Sequence, residues 1–138
     1  MSKYRAKKVE IDGIIFDSKA EGEFYRLLKK MKVSGEVKKF ALQPKFELQP
    51  KYRQKGTNKA VQAITYTADF DVTMADGTRE IIDIKGFPTD VFRLKQKMFE
   101  YKYGVRLRLL HYTKRDGFRD WEEVQRERRK RKREAKKG

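Results

Sequence analysis

Three ionisable residues in one short stretch invite a chemical reading. Asp69, Asp83 and Lys85 lie within YTADFDVTMADGTREIIDIKG, residues 66 to 86. Two runs of strand-forming residues flank Ala75-Asp76-Gly77, and each carries an acid where a packed sheet favours an apolar side chain. Alternate side chains of a strand share a face. Ile64, Tyr66, Ala68, Phe70 and Val72 therefore share one face of the first run, and Thr65, Thr67, Asp69 and Asp71 the other. On the second run Ile82 and Ile84 oppose Ile81, Asp83 and Lys85, which sets the acids opposite the core face.

The turn decides which acids meet. A two-residue turn at Asp76-Gly77 pairs Asp69 with Ile84, an acid beside a core residue. A three-residue turn with Gly77 left-handed pairs Met74 with Thr78, Asp71 with Ile81 and Asp69 with Asp83. Only this register agrees with the hydrophobic pattern. The two acids then stand roughly 5 Å apart at Cβ. At an effective dielectric of about 20, two ionised groups at that distance repel by about 3 kcal/mol. A shared proton, a bridging base or a divalent cation relieves the repulsion. Magnesium takes oxygen ligands and often uses one or two carboxylates plus substrate phosphate. Lys85 points to the same side. The same residues also fit a plainer role, the solvated face of an amphipathic hairpin with Lys85 paired to an acid.

Composition narrows the partner. The chain has 138 residues and a formal net charge of +16. Such a surplus points to a polyanion, nucleic acid first and acidic membrane second, although a structural RNA-binding protein shares the balance. With no cysteine, disulfides and zinc-thiolate sites are excluded. No run is apolar enough to span a bilayer, and Met1 to Arg5 lacks a signal-peptide core, so a cytoplasmic protein with no membrane partner is expected.

The elements that must position these residues follow from local pattern. Residues 9–16 read as a hairpin turning at Asp12-Gly13. Ser18 is placed to cap a helix, with Glu21 completing a capping box, and Phe24, Leu27, Leu28 and Met31 form its apolar stripe. Residues 37–48 read as extended, interrupted at Pro44, and 50–59 as a polar, basic loop. Strands are expected over 61–73 and 78–85. Thr89 or Asp90 caps a second helix, with Val91, Leu94, Met98 and Tyr101 as its stripe and Gly104 as its stop. A strand over 105–111 follows, then a helix from Phe118 to Val124 anchored by Trp121. From Arg126 on the stripe vanishes, so fraying is expected. The fold class is therefore α/β (α+β): a mixed central sheet with flanking helices, an N-terminal hairpin and a basic C-terminal helix or tail. Residues 1–124 form the domain and 125–138 the extension.

This order, with a helix Glu, an Asp in the second strand and Asp-x-Lys in the third, resembles the PD-(D/E)xK nuclease superfamily and its restriction-endonuclease-like fold. More closely, SKYRAKKVEIDGIIFDSKAEGEFY, LQPKFELQP, YTADFDV and IIDIKGFPT together resemble a family of small phage and prophage proteins described as endonucleases or Holliday junction resolvases. The likeness covers residues 2 to 110 and leaves the tail outside. It implies metal ligands at Asp69 and Asp83, the Ile84 carbonyl as a further ligand, Glu21 as the helix acid and Lys85 as the catalytic lysine. Ala68 stands where the motif's name has proline, and Asp83 is the shorter of the two permitted acids. Glu21 reads equally well as the capping partner of Ser18, and a glutamate folded back on its helix end does not reach a metal. Glu23 points elsewhere.

The implied activity is Mg2+-dependent hydrolysis of DNA phosphodiesters, with Mn2+ as a substitute. Nothing in the chain resembles a base-reading element, which suits branched or junction-containing DNA and, on that reading, a homodimer. Candidate DNA contacts are Lys51, Arg53, Lys55 and Lys59 of the loop, Lys95, Lys97 and Lys102 of the second helix, and Arg126, Arg128 and Arg129 of the tail. Such contacts add affinity and salt dependence without reading sequence. Asp71 and Gln43 are candidates for supporting the ligands, though Gln43-Pro44 also reads as a strand bend. Tyr101, Tyr103 and His111 read as structural. The rival readings are a non-catalytic basic nucleic-acid-binding protein of phage origin, or an RNA-directed accessory use of the same fold.

Overall fold

The computed structural model describes residues 7–137. β1 (Val9–Ile11) and β2 (Ile14–Phe16) form the expected hairpin, with Asp12 and Gly13 both at positive φ, 54° and 77°, as a two-residue mirror-image turn requires. Ser18 caps α1 (Lys19–Ser34), its hydroxyl accepting the Glu21 N–H at 3.1 Å. The buried face of α1 is Gly22, Phe24, Tyr25 and Leu28, and the expected Leu27 is exposed. Tyr25 replaces it because the hairpin covers that side: its ring meets Phe16 at 5.1 Å and its hydroxyl donates to Asp12 at 2.9 Å.

β3 (Val37–Leu42) and β4 (Lys45–Gln49) are separated at Gln43-Pro44, where Gln43 adopts a φ of 50° and proline offers no N–H. The loop expected over 50–59 contains a short ladder, β5 (Tyr52–Arg53) with β6 (Ala60–Val61). The single strand expected over 61–73 is β6 plus two further strands, β7 (Ile64–Thr67) and β8 (Phe70–Met74), broken at Ala68-Asp69. The two breaks face each other. Gln43 N–H donates to the Asp69 carbonyl at 2.9 Å, and Ala68 N–H to the Pro44 carbonyl at 3.0 Å. Here β4 and β7 leave the central sheet together and pair as a separate ribbon.

β9 (Arg79–Ile84) pairs with β8 in the expected register, Asp71 with Ile81 and Phe70 with Ile82, across the turn at left-handed Gly77. One step further, Asp69 lies beside Asp83. Thr89, not Asp90, caps α2 (Asp90–Tyr103), its hydroxyl accepting the Phe92 N–H. α2 buries Phe92 and Phe99, while Val91, Leu94 and Tyr101 of the expected stripe are exposed. Two apolar stripes competed, and the one with the larger aromatic area faces the core. β10 (Leu107–Thr113) runs parallel to β9, and β11 (Gly117–Asp120) returns antiparallel at the edge, so Phe118 is in a strand rather than a helix. The central sheet is ordered β11-β10-β9-β8-β3.

α3 (Trp121–Lys137) does not fray at Arg126. Arginine, lysine and glutamate are good helix formers. Glu122 and Glu123 in the first turn and Lys136 and Lys137 in the last suit the helix dipole.

Both faces of the central sheet are covered. α1 and the N-terminal hairpin pack on Phe70, Val72, Ile82, Ile84 and Leu110. α2 and the β4–β7 ribbon pack on Ile81, Leu107 and Leu109, with Phe46, Tyr66, Phe92 and Phe99 between. The break at Ala68-Asp69 moves Tyr66 and Ala68 to the opposite face from Phe70 and Val72, so the acids lie against a second core rather than a solvated surface. No helix among the described residues is long and apolar enough to cross a membrane.

Candidate active site

The site is at the carboxyl end of β9, where the break between β7 and β8 meets the N-terminus of α1. Asp69 sits in that break. With no strand partner beyond Phe70, its side chain turns toward β9, and Oδ2 accepts the Ile84 N–H at 2.8 Å. Asp83 is 3% exposed. Its Oδ2 accepts the Tyr66 hydroxyl at 2.5 Å and lies 3.6 Å from Lys85 Nζ. Lys85 is fixed at both ends: Nζ stands 4.9 Å over the Phe92 ring, and the backbone N–H donates to the Leu110 carbonyl at 3.0 Å. His111 Nδ1 lies 3.3 Å from the Lys85 carbonyl, a contact that makes Nδ1–H the donor.

α1 brings Glu21 to the same place. It lines a cavity of about 290 Å³ with Asp17, Ser18, Ile84, Lys85 and Tyr112. Burial holds its carboxyl above the ordinary range, and the charges of Asp17 and Asp83 add to the effect. The Asp17 backbone and the Ser18 hydroxyl pull the other way. Glu21 thus lies within reach both of its helix cap and of the acid pair.

Asp69 is strongly perturbed. Burial first, then the adjoining Asp83 carboxyl and Glu21, push it up to about 9, against the opposing Ile84 N–H. The Tyr66 hydroxyl is likewise raised by burial and by Asp83. Burial and the neighbouring carboxylates thus favour the protonated form of Asp69, and a nearby cation would favour its ionised form. The donors are all oxygens, the set that magnesium or manganese prefers, and an ion would relieve the same repulsion as the proton. Among the described residues no three His, Cys, Asp or Glu side chains converge closely enough to enclose an ion by themselves. A cation would therefore rest on the two aspartates, a backbone carbonyl such as that of Ile84, and groups from water or substrate.

The remaining candidates are scattered. Asp71 gives both oxygens to Arg79, at 3.0 and 2.8 Å. Gln43 marks the bend and holds the Asp69 carbonyl through its backbone. Lys51, Arg53, Lys55 and Lys59 are exposed around the β5–β6 ladder, and Lys97 is exposed on α2. Lys95 and Lys102 are tied to the ribbon, donating to the Thr65 carbonyl at 3.0 Å and the Glu47 carbonyl at 2.8 Å. Arg126, Arg128 and Arg129 are exposed on α3.

Two residues of consequence were not singled out from sequence. Tyr66 read as core, and the break that turns its hydroxyl onto Asp83 is not visible in an alternating pattern. Asp120, 4% exposed, accepts from Arg106 at 2.9 Å and Arg108 at 3.3 Å, and its other oxygen accepts the Glu122 N–H at 2.9 Å. An Asp just before Trp-Glu-Glu is a helix-start signal that marks it.

Residues 1–117 match the family described as "Protein of unknown function (DUF1064)", and the chain belongs to that family. The matched stretch contains the whole site and ends in β11, before α3. No curated protein and no solved structure matches the chain.

Proposed function

We propose that this chain is a Mg2+-dependent endonuclease of the PD-(D/E)xK kind, hydrolysing phosphodiester bonds in branched DNA, with Mn2+ able to replace Mg2+. The observation that carries the reading is the forced meeting of Asp69 and Asp83 beside Lys85, in a cationic chain. Fold maintenance alone gives no reason to place two carboxylates together at a buried sheet end, since either could be replaced by an apolar side chain at lower electrostatic cost.

Asp69, Asp83 and the Ile84 carbonyl would hold the ion, with Glu21 closing the site from α1. The ion's chemistry, when bound, is to draw charge from the attacked phosphate and to acidify a water. Lys85 Nζ is placed to take or steady a proton of the attacking water, or to pair with a phosphate oxygen. Phe92 under the ammonium and the Leu110 carbonyl on the backbone keep it in position. Tyr66 holds one oxygen of Asp83, leaving the other for the ion. Resolving a junction needs two cuts, hence two copies of the chain.

The test is incubation with supercoiled plasmid and with a four-way junction, with and without Mg2+. Metal-dependent cutting, stronger on the junction, is expected. One observation favours the non-catalytic alternative: the Tyr66 hydroxyl and Lys85 already engage Asp83, and the Ile84 N–H already engages Asp69. Tight DNA binding with no cutting under either metal would select that alternative.

A further inference from the structure

Resting on the reading of this chain as a nuclease, we propose that the cleft between the β10–β11 hairpin and α3 is a second phosphate-binding site, seating the backbone of the same nucleic acid. The cleft encloses about 280 Å³ and is lined by His111 and Thr113 of β10, Arg115 of the turn, Arg119 of β11, and Arg128 and Arg131 of α3. Only two carboxylates, Asp116 and Glu127, line it with them.

The four guanidiniums are not equally engaged. Arg119 forms a fork on Glu127 at 3.0 and 2.7 Å, which ties β11 to α3. Arg131 approaches the same carboxylate only at 4.0 Å, and Arg115 lies 3.9 Å from Asp116. Arg128 stands 5.9 Å over the Trp121 ring and has no carboxylate within ion-pair distance among the described residues. Exposed ion pairs of this length contribute about 0–1 kcal/mol. A phosphate accepts two parallel hydrogen bonds from a guanidinium, a stronger arrangement. The cleft thus carries an excess of positive charge on a framework already fixed by one fork.

Its location ties it to the acid centre. His111 and Tyr112 are neighbours on β10, so their side chains leave on opposite faces. Tyr112 lines the cavity of Glu21, Ile84 and Lys85, whereas His111 lines the arginine cleft and holds the Lys85 carbonyl. The two cavities flank one strand end, and a nucleic-acid strand crossing that end meets both. The opposite side of α3 lacks this construction: Arg126, Arg129, Lys130 and Arg133 border a shallow groove to which no sheet residue contributes.

The experiment compares two double variants of the full chain that lose the same charge from one helix, Arg128→Ala/Arg131→Ala in the cleft and Arg126→Ala/Arg133→Ala about 200° around it. Binding to a duplex of mixed sequence is measured without divalent metal, over a range of salt. The cleft variant should lose about tenfold in affinity and about one to two units of salt slope, the other variant clearly less. Equal losses from both overturn the proposal and leave α3 as undifferentiated charge. Cutting of plasmid with Mg2+ is scored separately. An unequal loss in a protein that never cuts upholds the cleft and removes the nuclease reading.

Discussion

The carboxyl groups of Asp69 and Asp83 meet because one is fixed to the Ile84 N–H at 2.8 Å and the other to the Tyr66 hydroxyl. Each anchor comes from the strand opposite to the acid it holds, so the pair is a property of the joined β7–β8 and β9 segments. If the pair serves chemistry, Asp83→Asn and Lys85→Ala should each abolish Mg2+-dependent cutting. Junction affinity should stay within a few-fold, because most of the basic residues proposed to meet phosphates lie outside this pair. Variants that cut like the parent would show that the site lies elsewhere.

Stability should depend on pH through Asp69. Its ordinary value of 3.8 applies to the unfolded chain, and about 9 to the folded one. Between these limits the folded chain keeps a proton that the unfolded chain releases. The contribution of Asp69 is therefore intact below about pH 4 and is lost as pH rises toward about 9, by at most ~1.4 kcal/mol per pH unit. Thermal melts of metal-free protein should show a steeper fall with pH for the parent than for Asp69→Asn. Added Mg2+ should raise the melting temperature more at about pH 8.5 than at about pH 5, because it takes the proton's place. Parallel melts for parent and variant would assign the slope to other groups.

Tyr66→Phe removes the hydroxyl that donates to Asp83 Oδ2 and leaves that oxygen buried with Lys85 Nζ no nearer than 3.6 Å. An unpartnered buried acceptor costs about 1–3 kcal/mol. The denaturant midpoint should drop accordingly, with an unchanged slope. A midpoint equal to that of the parent would mean that the hydroxyl contributes nothing net.

Gly22→Ala sets two effects against each other. Alanine is favoured over glycine in a helix by about 0.8–1.0 kcal/mol. The new Cβ, however, would meet Val9 Cγ2 at 2.8 Å and Ile11 Cδ1 at 2.9 Å. The isoleucine tip can swing, but valine is stiff at χ1, and overpacking costs about 1–3 kcal/mol. A net loss of about 1 kcal/mol is expected, recovered in part by adding Val9→Ala. A stabilised single variant would show that the hairpin rides loosely on α1.

Sequence pattern reached some of this and stopped for physical reasons. The register that sets Asp69 beside Asp83 was legible because a one-residue slip would have exposed Ile82 and Ile84. The cap at Ser18 was legible, and that of α2 was narrowed to Thr89 or Asp90, because side-chain caps are local. The burial of the acids was not, since it depends on a ribbon of β4 and β7 folding back over the sheet. Gln43-Pro44 hinted at one bend, yet nothing local shows that Ala68-Asp69 bends with it. On α2, spacing alone could not choose between Val91-Leu94-Tyr101 and Phe92-Phe99, because both recur at helical intervals. β11 was missed because only four residues, Gly117 to Asp120, separate its turn from α3.

Lys85 takes its backbone anchor from Leu110, a residue made twenty-five positions later, on the far side of α2. During synthesis the acids and the lysine are all present well before that partner emerges. The end of β9 that carries Asp83 and leads into Lys85 can therefore gain its β10 neighbour only after α2 has been made.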